Sequence, residues 1–357
     1  MLYYLLCFEW QINLITNKGG EDLDKTRKLT EASLLTAIFV VVTIISVGSG
    51  IGYGIYLDYI VPLFYFIIYL KCGSKYTVLS AMSGLMIVFA VLGNPGTAIW
   101  ASQGIILGIL CGILSEKKTS LMDDLLLGTL IGSIIMVFID IYASKLIGYS
   151  FIQDFKETIS YMAKYMTKNV PSFSNFPPEF IQSYFSTVFY VSITLIPLGT
   201  VVGVYIIGLF VGNRLNVLKG ETKKKYEVIR HFRTFSRMTF CSRNLFYIMV
   251  IYTMTFSLMN KYGIKTNMAY IDTIMNCFFY SGLYFLIRDS IAGIQGYTLT
   301  KGKSMGQVRL FTILYLFILL SYFWLAAIIA ILYFMSIDVK YGLREFYCEK
   351  MSTLLTN

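Results

Sequence analysis

The chain has one histidine, His231, and only 14% charged residues, and none of its six cysteines forms a C-x-x-C pair. Each scarcity closes off chemistry. One histidine leaves no H-E-x-x-H metalloprotease and no histidine proton relay, and His231 reads as a solvated loop residue. Cys72, Cys111, Cys241, Cys277 and Cys348 fall in apolar runs, in basic connections or in the tail. They lack the Cys/His spacing of a zinc site, and no disulfide framework is implied. Gly296 to Ser304 looks like a phosphate loop, but five residues separate Gly296 from Gly302 where four are required, and no strand precedes it. Ser, Lys and Asp are too scattered for a hydrolytic triad. The expectation is a non-enzyme without a metal or cofactor; any ATP would be hydrolysed by a partner.

Apolar residues, by contrast, make up 56% of the chain, and the mean hydropathy is +0.66. An ordinary soluble domain is about one-quarter charged, so the chain reads as an all-α polytopic membrane bundle in contact with a lipid bilayer. The organising stretch is Thr26 to Gly54, where a basic cluster feeds an apolar run that ends in a glycine-rich loop. Length and lack of charge predict spans at Leu29–Val47, Tyr53–Leu70, Tyr76–Leu92, Thr97–Leu114, Leu121–Ala143, Ile181–Val211, Leu245–Met259, Tyr270–Ile287 and Leu310–Met335. Pro197 should kink the sixth. Nine spans give a bundle at 23–212, a basic loop at 213–244, three more spans at 245–336 and a tail at 337–357. A bend inside Leu310–Met335 would change nine to eight or ten.

The net charge of +10 is distributed unevenly. Lys71 and Lys75, Lys117 and Lys118, the run from Arg214 to Arg243, and Lys301, Lys303 and Arg309 all fall on alternate connections. The intervening connections Gly48–Gly52 and Gly93–Gly96 carry no charge, and Ser144–Phe180 mixes both signs. The positive-inside rule therefore places the N-terminus in the cytoplasm. Topology accounts for the basic loop without nucleic acid, and an amphipathic helix on anionic headgroups fits it. The tail is ambiguous: Lys340, Arg344 and Lys350 favour the inside, whereas Asp338, Glu345 and Glu349 offset them.

Small-x-x-x-small pairs mark close helix contacts, which drive packing where lipid is as apolar as the helices. They occur at Ser33/Ala37, Gly104/Gly108/Gly112, Gly128/Gly132, Gly199/Gly203 and Gly208/Gly212. Polar groups at membrane depth are fewer: Asp58, Asn94, Trp100, Gln103, Asp140, Arg288 and Asp289. Such groups usually face a bundle interior or a cavity, although headgroup water could solvate Asp58 and Asp140. Arg288 and Asp289 can neutralise each other.

Residues 1–22 read as a mis-called extension, since Lys18–Glu21 can be encoded by a ribosome-binding tract and Leu23 by a UUG start codon. From there Arg27-Lys28-Leu29-Thr30-Glu31-Ala32, running into an apolar span, resembles the opening of the YybS family of bacterial membrane proteins. Asp338 and Arg344 amid aromatics resemble that family's close. Gly342 and Thr239 depart from it, standing where the family carries a further polar residue and a proline. The family is in turn distantly similar to the substrate-capture (S) components of energy-coupling-factor vitamin transporters. The resemblance implies a six-helix S-component-like module in the bacterial plasma membrane. Ala32, Ser33, Thr36 and Ala37 would dock on a transmembrane coupling subunit served by ATPases in trans. Gly48–Gly54 would be a lid, and Asp58, Asn94, Trp100, Gln103 and Asp140 would ring a small-molecule ligand at the outer face. The three extra spans are not part of an S component. The competing reading is a non-transporting scaffold that recruits a cytoplasmic partner through Arg214–Arg243.

Overall fold

The computed structural model describes residues 21–50, 56–169, 176–263 and 268–356. The proposed start at Leu23 concerns a segment mostly outside those residues, as does most of the Gly48–Gly54 lid. All regular structure among the described residues is helical. This is what a bilayer demands, because a helix satisfies its own backbone hydrogen bonds where no water is available.

The helices are α1 (Glu21–Ser49), α2 (Val61–Cys72, entered through a π-helical turn Tyr56–Ile60), α3 (Ser74–Leu92), α4 (Pro95–Glu116), α5 (Leu121–Ile147), α6 (Phe151–Asn169) and α7 (Pro178–Arg214). They continue as α8 (Gly220–Arg230), the single turn α9 (Phe232–Phe235), α10 (Arg243–Lys261), α11 (Ala269–Thr300), α12 (Met305–Ser321), α13 (Phe323–Tyr341) and α14 (Leu343–Thr356). Six of them, α1, α3, α4, α5, α7 and α13, are long and apolar enough to cross a membrane. The chain is a multi-pass integral membrane protein.

Side-chain contacts give the direction of each helix. Thr43 of α1 meets Tyr56 and Glu31 meets Lys71, so α2 runs back along α1. Thr36 bonds Ser80, and Gly84 lies against Phe39, so α3 runs with α1. Gly104 faces Leu57 and Gly112 faces Tyr69, while Gly132 faces Leu107 and Gly128 faces Val201, which sets α4, α5 and α7 in alternation. Gly282 lies against Met249 while Phe279 meets Phe256, Gln295 bonds Thr312, and Gly293 faces Phe334 while Phe279 meets Trp324, so the alternation continues through α10, α11, α12 and α13. Among the described residues, ten helices thus run to and fro between two ends, where nine spans were expected.

The extra reversal lies inside the expected span Leu310–Met335. The helix breaks at Tyr322 (φ −135°, ψ 59°). The chain folds back so that the Tyr315 hydroxyl donates to the Ala326 carbonyl at 2.9 Å. An even number of traverses brings the tail to the same end as the basic loop, where Arg243 pairs with Glu345 at 2.9 Å and with Asp338 at 3.6 Å. Gly342, with φ +57°, ends α13, and its N–H bonds the Asp338 carbonyl. That left-handed position favours glycine.

The long connection Ser144–Phe180, read as a loop, contains the amphipathic helix α6, whose Phe155 ring packs on Phe189 of α7. The last helices are not an appendage. One core cluster runs from Phe66 to Tyr347, and α11 packs on both α5 and α7.

If the basic end is cytoplasmic, an impermeant maleimide applied to intact cells should label Ser160→Cys but spare Lys223→Cys and Lys350→Cys, all three being exposed positions. Membrane permeabilisation should expose the latter two. Labelling of Lys223→Cys in intact cells reverses the orientation, and labelling of Lys350→Cys alone contradicts the tenth traverse.

Candidate functional site

At the end of the bundle away from the basic loops lies a cavity of about 400 Å³. Its wall is assembled from five elements. The π turn supplies Leu57 and Asp58, α4 supplies Trp100, Gln103, Gly104 and Leu107, α5 supplies Met136, α7 supplies Ile196, and the start of α6 with the residues before it supplies Tyr149 and Phe151. The α4 set follows the i, i+3, i+4, i+7 spacing of one helix face.

The π turn has a local cause. Pro62 has no N–H to give the Asp58 carbonyl, so the ordinary i to i+4 bond cannot form at this point, and the turn widens. Single π turns inside helices recur at functional sites. Here the widened turn brings Asp58 into the wall opposite α4, and α4 comes close because glycines face α2. A Cβ placed on Gly108 would collide with the Pro62 carbonyl oxygen.

Asp58 is half-buried and has no ion pair or hydrogen bond among the described residues. The Gln103 amide oxygen is buried and lacks a hydrogen-bond partner among them. Buried polar atoms in native proteins are almost always paired, so the unpaired Gln103 amide oxygen is unusual, and beside it in the wall the half-buried Asp58 carboxylate is open to whatever occupies the cavity.

Of the five residues expected to ring a ligand, the structure brings together Asp58, Trp100 and Gln103. Asn94 and Asp140 do other work. Asn94 caps α4, its side chain accepting from the Gly96 N–H at 2.8 Å. Asp140 caps α6, accepting from the Phe151 N–H at 2.7 Å and the Ser150 hydroxyl at 2.6 Å. Neither carboxamide nor carboxylate is free to face the cavity. Tyr149, Met136 and Ile196 were not anticipated, since nothing local in sequence ties them to α4.

The expected docking face also divides. Ala32 and Thr36 point into the bundle, 3% and 5% exposed, with Thr36 bonded to Ser80. Ser33 and Ala37 are exposed, so the four-residue face reduces to that pair.

The basic segment at the opposite end is folded into the protein. Lys225, nearly buried, donates to Asp124 Oδ2 at 2.6 Å and to the carbonyls of Leu114 and Lys117 at 3.0 and 2.7 Å. Asp124 also accepts from Tyr205 and Thr119. Arg288 and Asp289 do pair, at 2.9 Å. Arg288 further holds the Ser236 and Thr239 carbonyls, while Asp289 accepts from the Cys241 N–H at 2.7 Å. Arg344 stacks on Phe246 and Phe334 and pairs with Asp338. The groups of three or more His, Cys, Asp or Glu that could hold a metal ion are absent among the described residues. Comparison with protein-family models, with curated proteins and with solved structures finds no match to this chain.

Proposed function

We propose that this protein is the substrate-capture component of an ATP-driven importer, binding a small ligand from the outer face of a bacterial plasma membrane with its N-terminus in the cytoplasm. The observation that carries this reading is the cavity at the end remote from the basic loops, with Asp58, Trp100 and Gln103 converging in its wall. Binding sites are mostly apolar hollows of roughly 300–1,000 Å³ with a few placed polar groups, and this one has that form. The resemblance to the YybS family and, through it, to S components supports the same role. In this reading the protein carries out no chemistry itself. The exposed pair Ser33 and Ala37 offers close backbone approach to a coupling subunit that brings the ATPases.

The scaffold alternative needs the basic segment to be available for a partner. Its residues Tyr226, Val228, Ile229, Phe235 and Phe240 are buried in the main core, and Lys225 is consumed internally. What remains outward, such as Lys223 and Lys224, suits anionic headgroups.

The test is native mass spectrometry of the protein extracted from its own membranes. A bound small molecule is expected with the wild type and not with Ile196→Trp, which fills the cavity from α7. Identical spectra for the two, without a bound molecule, defeat the capture reading. In the same preparation Ser33→Leu/Ala37→Leu should remain folded and lose the co-purifying coupling subunit; unchanged recovery would assign that pair no docking role.

A further inference from the structure

The cavity's charge balance indicates what kind of molecule it suits, an inference that rests on the ligand-capture reading above. None of the described residues lining it is a lysine, arginine or histidine, and one, Asp58, is a carboxylate. Asp58 has no cationic partner elsewhere among the described residues. The carboxylates buried in the bundle each have a partner: Glu31 has Arg27 and Lys71, Asp123 the Ser242 N–H, Asp124 Lys225, Asp289 Arg288, Asp338 Arg344 and Arg243, and Asp140 two backbone N–H groups and a serine hydroxyl, whereas the half-buried Asp58 has none. The protein supplies a partner for each of these and withholds one at Asp58.

Three electron-rich groups therefore meet in the wall. The Asp58 carboxylate is unpaired, Gln103 lines the wall with its amide oxygen closed off from solvent and without a donor, and Trp100 contributes an indole, the aromatic side chain that best attracts a cation. The remainder of the wall, Leu57, Leu107, Met136, Phe151 and Ile196, is apolar. An anion would meet a carboxylate with no compensating charge. A neutral apolar molecule would leave Asp58 and Gln103 unpaired, and an unmade buried hydrogen bond costs about 1–3 kcal/mol. We infer that the cavity takes an organic monocation with N–H donors on a flat aromatic body, its cationic head between Asp58 and Trp100 and a donor directed at Gln103.

Matched probes separate charge from shape. Tryptamine, tryptophol and indole-3-acetate share an indole and differ in carrying a cation, a neutral hydroxyl and an anion. Equilibrium dialysis against the full-length protein in lipid nanodiscs, with Ile196→Trp nanodiscs as the background for partitioning, gives each affinity. Tryptamine is expected to bind at least about tenfold more tightly than tryptophol, with indole-3-acetate weakest, since charge-assisted hydrogen bonds are about twice as strong as neutral ones. Asp58→Asn, which keeps size and polarity, should weaken tryptamine about tenfold and leave tryptophol unchanged. Trp100→Phe should weaken tryptamine more than tryptophol, and a thermal melt confirms that each variant is folded.

Equal binding of the three probes, or tryptamine binding indifferent to Asp58→Asn, overturns the cation assignment. So does a failure of tryptamine to bind. In each case the capture reading survives if the native mass spectrum still shows a molecule released by Ile196→Trp. An empty spectrum for both proteins removes the capture reading, and with it this inference.

Discussion

Lys225→Met is expected to destabilise the protein by about 3–5 kcal/mol, the range for removing one partner of a buried ion pair. The side chains of Lys225 and Asp124 are 6% and 0% exposed, so the abandoned carboxylate would have neither countercharge nor water. Its remaining bonds from Tyr205 and Thr119 are neutral donors. The loss extends to α4. At its C-terminal end the Lys225 ammonium binds the carbonyls of Leu114 and of Lys117, the residue just past the helix, where the negative end of the helix dipole also favours a cation. Thermal unfolding in detergent should show a large fall for Lys225→Met. The double variant Asp124→Asn/Lys225→Met should recover part of it, since asparagine is neutral and still accepts from Tyr205. A single variant that melts with the wild type would show that the pair is not what holds the basic segment to the α4–α5 corner.

The second large effect is expected at Gly108. The added methyl of Gly108→Ala would collide with the Pro62 carbonyl oxygen and stand 3.0 Å from the carbonyl carbon. A flexible side chain could move aside; a helix backbone cannot without separating α2 from α4. Overpacking typically costs about 1–3 kcal/mol and occasionally more, and a backbone contact this close belongs at the upper end. Gly48→Ala is the control, because a Cβ there meets nothing within 4 Å. Detergent melts should show Gly108→Ala strongly destabilised and Gly48→Ala unchanged. Any folded Gly108→Ala protein should also bind ligand poorly, since the α2–α4 approach sets Asp58 across from Trp100 and Gln103. Equal stability of the two variants would mean that α2 and α4 are not in the contact described.

Part of this site was legible in the chain. Trp100 and Gln103 are three residues apart on an apolar helix, and Asp58 stands near the outer end of the span Tyr53–Leu70, two spans earlier. Helix periodicity and the cost of polar groups in lipid therefore pointed to the end of the bundle where the cavity lies. Asn94 was also readable in its true role: an asparagine directly before a proline is an N-cap followed by a favoured first helical residue. Asp140 was not, because the helix it caps begins 11 residues later, beyond a turn.

The sequence by itself determined that the protein is an all-helical, multi-pass membrane bundle, because lipid leaves the backbone no other way to satisfy its polar groups. It also indicated which of the earlier connections share an end, because unbalanced lysine and arginine gather on alternate ones, while the tail, with both signs, was left open. Only the tertiary structure decided the rest. The break at Tyr322 has no proline or glycine to announce it, and comes from two apolar helices packing against each other and α11. The Asp124–Lys225 pair joins residues 101 apart. Ser33 and Ala37 differ from Ala32 and Thr36 only in which side of α1 meets α3, a choice that hydrophobicity cannot make when lipid and protein interior are equally apolar. For the same reason the convergence of Asp58, Trp100 and Gln103 awaited the packing of α2 on α4, where the glycine row of one helix admits the backbone of the other.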